Sequence, residues 1–173
     1  MTDVHEEGDL RITASGSASL RKFDDPATHQ ALGPMKAADF IIDRPRDLIF
    51  LEMKDPDNPS ASAANRREFR TEMLAERHDQ DLKYKFRDSF LYEWASGRAT
   101  KPITFVVLVE LSSLTPAELL ARTDQLRRKL PARAAAPAGW SQHFLDDCIV
   151  LNAAEWNRRF PSLLIERISA GQV

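Results

Sequence analysis

Asp39, Glu52 and Lys54 are the residues of this sequence best placed to do chemistry together, because two short apolar stretches carry them and a tight turn separates the two. The first stretch reads Lys36-Ala-Ala-Asp39-Phe-Ile-Ile-Asp43 and the second Leu48-Ile-Phe-Leu-Glu52-Met-Lys54-Asp55. Both have the Ile, Leu and Phe content of strands, and the intervening Arg44-Pro45-Arg46-Asp47 has the proline and aspartate of a turn. A hairpin folded symmetrically about Pro45-Arg46 pairs Arg44 with Asp47, Asp43 with Leu48, Ile41 with Phe50, and Asp39 with Glu52. Period-two alternation then sets Glu52 and Lys54 on one face, with Ile49, Leu51 and Met53 on the other.

Carboxylates opposed across two strands, with Cβ atoms about 5 Å apart, repel unless positive charge lies between them. A divalent cation meets that need. Two carboxylates, the backbone carbonyl of Met53 and several waters form the all-oxygen set that Mg²⁺ or Mn²⁺ prefers. Such a cation polarises a phosphoryl oxygen and acidifies a bound water, while the Lys54 ammonium orients that water or stabilises developing negative charge. The set suits phosphodiester hydrolysis better than acyl transfer or redox chemistry. The plainer alternative is a solvated strand face or a degenerate site, since an acid-x-Lys tripeptide is common in charged sequences and exposed strands often carry Glu and Lys two apart.

The pattern of Asp39, twelve intervening residues and then Glu52-Met53-Lys54, with both acids on strands, resembles the PD-(D/E)xK nuclease superfamily. The resemblance covers a core of about residues 9–151. It implies a restriction-endonuclease-like α/β fold: a mixed β-sheet flanked by helices, in the order α-β-β-β-α-β. It implies that Asp39 and Glu52 bind the metal and that Lys54 assists the attacking water, in a Mg²⁺- or Mn²⁺-dependent endonuclease acting on DNA in preference to RNA. Many members serve bacterial defence or mobile elements. Ala38 stands where the name-giving proline would be, and no extra helical Glu before the hairpin is identified, Glu6, Glu7 and Asp24 being candidates. The helix after the ExK strand often adds a basic residue in that superfamily. Lys83 and Lys85 are the candidates here, Lys85 lying on the flank of a Leu82/Phe86 stripe with Ser89 and counted with the catalytic set; a surface lysine with a packed stem is the alternative.

The other elements follow from pattern. Asp9–Ser15 reads as an opening strand, Ser19–Phe23 as a short helix or second strand, and Asp24-Asp-Pro26 and Gly33-Pro34 as turns. Asp55–Ser60, with two prolines, is a loop of the kind that approaches substrate. From about Ser62 to Ser96 the chain reads helical, with Phe69, Met73, Leu82, Phe86, Phe90 and Trp94 as its apolar stripe, a break at His78-Asp79-Gln80 and Gly97 just past its end. Lys101–Leu111 is a nearly continuous apolar run, a central strand. Glu110 near its end reads as an acid meeting solvent or, alternatively, as part of the site. Thr115-Pro-Ala-Glu118 is a capping box opening a helix to about Leu130, followed by a strand at Asp147–Leu151, completing a βαβ unit. Pro131–Gly139 is a low-complexity loop. Asn152-Ala-Ala-Glu155 opens a short helix ended by Pro161, and Leu163–Ile168 is a last strand, so a helix and strand over 152–168 extend the core.

With 173 residues, the expectation is a single domain. No apolar run reaches the length of a membrane span, and the first residues lack a secretory pattern, so a cytoplasmic location is expected. Cys148, the sole cysteine, excludes internal disulfides and a cysteine-rich zinc site, and its apolar setting reads as core. The net charge of −2 does not advertise nucleic acid, but phosphate binding depends on local basic surface. Arg66, Arg67 and Arg70 form the best-placed cluster. That cluster, like Arg127, Arg128, Lys129, Arg133 and Arg158, Arg159, reads first as a solvated helix face, with a nucleic-acid track as the alternative for which Arg66, Arg67 and Arg70 lie nearest the site. His5, His29, His78 and His143 lack metal-ligand spacing and read as surface or packing residues, and Trp94, Trp140 and Trp156 as core anchors. No phosphate-binding glycine loop and no Gly-x-Ser-x-Gly elbow occurs. A noncatalytic nuclease-like domain that binds a partner protein or nucleic acid is the second reading. The need to cut two strands makes a homodimer an expectation.

Overall fold

A computed structural model describes residues 2–25, 35–132, 138–139 and 144–171. The turn expected at Gly33-Pro34, most of the 131–139 loop, and His29, Arg133, Trp140 and His143 lie outside the described residues.

The fold is α/β. The described strands are β1 (Asp3–Glu7), β2 (Leu10–Ala14), β3 (Ser19–Lys22), β4 (Phe40–Asp43), β5 (Leu48–Lys54), β6 (Ile103–Val109), β7 (Asp147–Leu151) and β8 (Leu163–Arg167). The helices are α1 (Ala63–Leu74), α2 (Asp79–Ala95), α3 (Pro116–Lys129) and α4 (Ala153–Arg159). A five-stranded mixed sheet has the order β3-β4-β5-β6-β7. Its first three strands form an antiparallel meander, and β6 and β7 then run parallel to β5.

The hairpin register is the expected one. Asp43 pairs with Leu48 and Ile41 with Phe50, and the turn is closed by Arg44 N–H donating to Asp47 O at 3.0 Å. Strand β5 is buried on both faces, as a strand between β4 and β6 must be. One face, with Ile41, Leu48, Phe50, Phe105 and Val107, packs against Met73 of α1, Leu82 and Phe86 of α2, and Leu119 and Leu126 of α3. The opposite face, with Phe40, Ile42, Ile49, Leu51 and Met53, packs against β2, β8 and Trp156 of α4. The alternation expected for Glu52 and Lys54 against Ile49, Leu51 and Met53 therefore holds.

The second packing partner is a correction to the single mixed sheet expected. Strands β1, β2 and β8 form a separate antiparallel sheet of order β1-β2-β8. Its three strands cannot extend the larger sheet because their apolar side chains, Leu10, Ile12, Ala14, Leu163 and Ile165, are used to cover that sheet's face. Ser19–Lys22 resolves as a strand, and β1 was not anticipated. Gly8, at φ +59°, supplies the left-handed conformation that the two-residue turn between β1 and β2 requires.

The break in the long helical stretch falls at residues 75–78, slightly before the expected position, where Glu76 adopts φ +62°. Gly97, at φ +70°, follows the end of α2 as expected, its N–H donating to Trp94 O at 3.0 Å. Both predicted N-caps of the C-terminal half form: Thr115 and Glu118 make a full capping box, and the Asn152 side chain accepts from Glu155 N–H. Trp94 is corrected from core to surface, being 58% exposed, whereas Trp156 and Cys148 are fully buried. Burial pushes the Cys148 thiol far above its ordinary range, so it packs as a neutral apolar group.

Candidate active site

Three elements of the larger sheet and its covering helix converge on one buried polar cluster. Asp39 lies immediately before β4, Glu52 and Lys54 lie two apart on β5, and Lys85 projects from α2. Asp39 is 5% exposed and Glu52 is fully buried. Lys54 and Lys85 each approach the same Glu52 oxygen, Oε1, at 2.6 Å. Lys85 also stands 3.5 Å from Asp39 Oδ1, so one ammonium bridges the two carboxylates. Asp39 Oδ2 accepts the backbone N–H of Met53 at 2.6 Å, which ties the first acid to the strand that carries the second.

Local packing explains why Asp39 points there. The segment before β4 is fastened to α2: Asp88 Oδ2 accepts Lys36 N–H at 3.0 Å, and Ser89 Oγ accepts Ala38 N–H at 2.9 Å. On the other side, Asp39 O accepts Phe23 N–H at 2.7 Å. Lys85 and Ser89 are four residues apart on one face of α2, so the turn that delivers the ammonium also fixes the backbone leading into Asp39. The Leu82/Phe86 stripe beside them is buried, which sets the rotation of the helix.

The electrostatics are those of charge held out of water. Burial, then the neighbouring Asp39 charge, pushes the Glu52 carboxyl up to about 7 even though two lysines lower it. Burial likewise raises Asp39, opposed first by Lys85. Burial acts to lower the Lys85 ammonium, but the Glu52 and Asp39 charges outweigh it and hold Lys85 above the ordinary lysine value. Glu52 Oε2 is buried and has no hydrogen-bond partner among the described residues. A buried oxygen without a partner is a group in want of a proton or a cation.

That oxygen, together with Asp39 Oδ1, is the donor chemistry of a hard divalent cation, so the residues present fit Mg²⁺ or Mn²⁺. Among the described residues no three His, Cys, Asp or Glu side chains are grouped to hold a metal. Met53 enters the site through its N–H on Asp39, a contact its expected role as a carbonyl donor did not anticipate. Its side chain packs on the opposite face.

Of the remaining candidates, Lys83 lies away from the cluster and meets Gln80 at 3.4 Å. Glu110 is engaged in a different task, its carboxylate accepting Ala153 N–H at 2.5 Å at the start of α4. Glu6 pairs with Arg11 and Glu7 with Lys22. Asp24 is the more telling of the three early acids. Burial, then the charges of Asp39 and Glu7, raises its carboxyl, and its Oδ1 has no partner among the described residues. The anchoring roles of Asp88 and Ser89 had no signature in the sequence beyond their place on the flank of an apolar stripe.

The clusters expected as solvated faces are largely that: Arg128, Lys129, Arg158 and Arg159 are exposed, Arg158 pairs with Glu155 on the helix surface and Arg159 lies over the Phe160 ring, while Arg127 reaches Asp147 and Lys129 reaches Glu76 and the buried Asp79. His78 stacks on Phe69 with ring centroids 4.9 Å apart, and His5 meets Asp3. Among the described residues no helix is long and apolar enough to cross a membrane. No family model matches this chain, and neither the curated proteins nor the solved structures contain a significant match to it.

Proposed function

We propose that the chain is a metal-dependent nuclease hydrolysing phosphodiester bonds of DNA, with Asp39 and Glu52 as metal ligands and Lys54 and Lys85 as the cationic groups beside them. The observation that carries this reading is the convergence of two buried carboxylates and two ammonium groups from the segment leading into β4, from β5 and from α2, with Glu52 Oε2 left unpartnered among the described residues. A structural ion pair has no use for a second lysine on one oxygen while the other oxygen goes unsatisfied.

Element order supports the same reading. The meander β3-β4-β5, the helical crossover and the parallel return of β6 follow the β-β-β-α-β part of the restriction-endonuclease-like core, with Asp39 and Glu52 at the expected neighbouring ends. One departure is that β1 and β2, rather than a helix, are the described elements preceding the meander.

The bound cation would polarise the phosphoryl group and acidify a water. The residues of the chain account for the rest. Glu52, its carboxyl raised to about 7 by burial, would hold the cation as the carboxylate, its proton going to solvent. Lys54, partly exposed, is the group that can leave Glu52 and meet the attacking water or the developing phosphorane charge. Lys85, more buried, holds the two carboxylates together and offsets their repulsion. Ser89 and Asp88 keep Asp39 in register and exclude rearrangement of the segment before β4.

Nicking of supercoiled DNA with Mg²⁺ or Mn²⁺ tests the proposal. Wild type should nick, and Asp39→Ala and Lys54→Ala should abolish nicking while retaining the far-UV and unfolding behaviour of wild type. A purified, folded wild type that never cuts, with either metal, contradicts it.

The Lys85 bridge favours one further reading, a noncatalytic domain binding a partner protein or nucleic acid. An ammonium already between the acids can replace the dication as their counter-charge. In that case Mn²⁺ fails to bind at all, and calorimetric titration separates the two.

A further inference from the structure

The loops that follow the three parallel strands meet in one groove of about 880 Å³. Asp57 comes from the loop after β5, Glu110 to Leu114 from the loop after β6, and Asn152 from the end of β7. Ligands of open α/β sheets settle outside the carboxyl ends of the strands, and the groove occupies that position.

Its wall is one face of α1. Ala63, Arg66, Arg67 and Arg70 line it at spacings of three, one and three, which places them on a single helical stripe about 10 Å long. Helix α1 is otherwise weakly committed to the core, with Met73 its one fully buried residue. A helix this polar needs a reason for its charge pattern.

Charges around the groove divide into engaged and free. Asp57 accepts Ser112 N–H at 2.6 Å, and Glu110 accepts Ala153 N–H. Arg70 donates to Glu118 and to Ser113 O, and Arg167 to Asp55 and Asp9. Arg66 and Arg67 have no hydrogen-bond or ion-pair partner for their guanidinium groups among the described residues, and both face the groove. The unengaged charge there is thus positive, although the chain as a whole carries −2.

We infer that this groove is a phosphate-binding track in which Arg66 and Arg67 hold the sugar-phosphate backbone of a nucleic acid. Guanidinium groups grip phosphate in two-point fashion and stay charged at every physiological pH. The choice of a nucleic acid over another polyanion rests on the phosphodiesterase reading, because β5 carries Glu52 and Lys54 into the site and then feeds Asp57 into the groove. The same backbone can then lie along α1 while one of its phosphates reaches the carboxylates.

The test is binding of fluorescently labelled duplex DNA by the full chain in EDTA, read as anisotropy between about 50 and about 200 mM salt. Arg66→Ala/Arg67→Ala should weaken binding about tenfold, and the slope of log K against log salt should shrink by about 1.8, two contacts at about 0.9 each. Arg66→Lys/Arg67→Lys should restore the slope. An Ala pair with wild-type affinity and slope overturns the inference, as does competition by an acidic peptide stronger than by unlabelled duplex. Cleavage on the same preparations keeps the two ideas apart. Wild type that binds through Arg66 and Arg67 but never cuts removes the catalytic reading and leaves the track. Wild type that cuts, with DNA binding indifferent to the Ala pair, removes the track and leaves the catalytic reading.

Discussion

Ser89 Oγ accepts the backbone N–H of Ala38 at 2.9 Å, and this one bond joins the middle of α2 to the residue preceding Asp39. Both partners are buried, so the bond has no replacement from solvent. The geometry of the carboxylate pair therefore depends on a helix fifty residues away in sequence.

Ser89→Ala leaves the Ala38 N–H buried and unsatisfied, at a cost of about 1–3 kcal/mol. Urea unfolding should register that loss. Mn²⁺ affinity and nicking should fall further than stability alone explains, because Asp39 loses its brace. Equal nicking by Ser89→Ala and wild type would show that Asp39 is positioned by other contacts.

The Glu52 carboxyl, pushed up to about 7 by burial, gives two pH dependences. Protons compete with the cation, so Mn²⁺ affinity should be retained above about 7 and decline as pH falls through that value. Stability of the metal-free protein runs the other way. The folded value lies above the ordinary 4.5, the native state binds the extra proton between the two, and stability falls as pH rises from 4.5 to about 7, by up to about 3 kcal/mol. Glu52→Gln should flatten the stability profile. A profile with the same slope in Glu52→Gln assigns the titration to another group.

Arg122 and Asp79, 1% and 3% exposed, form a buried ion pair between α3 and the start of α2, with Lys129 also reaching Asp79 at 2.8 Å. Asp79→Ala strands the Arg122 charge and should cost about 3–5 kcal/mol. Asp79→Leu/Arg122→Met should recover much of it, since no buried charge remains. Denaturant midpoints of the single and double variants decide the matter, and a double variant no more stable than Asp79→Ala contradicts this account of the pair.

Trp156 is fully buried between the two sheets, its indole N–H donating to Leu163 O. Trp156→Ala should cost about 3–5 kcal/mol and loosen β8 from α4. Amide exchange of β8 should accelerate in that variant while the β4–β5 hairpin stays protected; uniform acceleration would show that the two sheets open as one unit.

The hairpin and its register were legible because a four-residue turn with proline leaves one symmetric pairing, and alternation does the rest. Lys85 was legible because a charged residue flanking a buried stripe faces the sheet it covers. Trp94 was misplaced for a geometric reason. Spacing by four advances about 40° beyond a full turn each time, so three steps from Leu82 rotate Trp94 about 120° off the buried face. Glu93 takes the buried position instead, paired with Arg21 and Arg98. Strand β1, Asp-Val-His-Glu-Glu, has too little apolar content to announce itself and exists through its pairing with β2. The division into two sheets rests on which strand ends meet, a long-range choice that local pattern does not contain.

Crystals soaked in Mn²⁺ and measured for anomalous scattering decide whether the carboxylate pair holds a cation. A peak is expected within coordination distance of both Asp39 and Glu52, about 2.0–2.2 Å from their oxygens, with the Lys85 ammonium moved off Glu52. No peak there, with Lys85 still spanning the two carboxylates, would contradict metal binding by the pair.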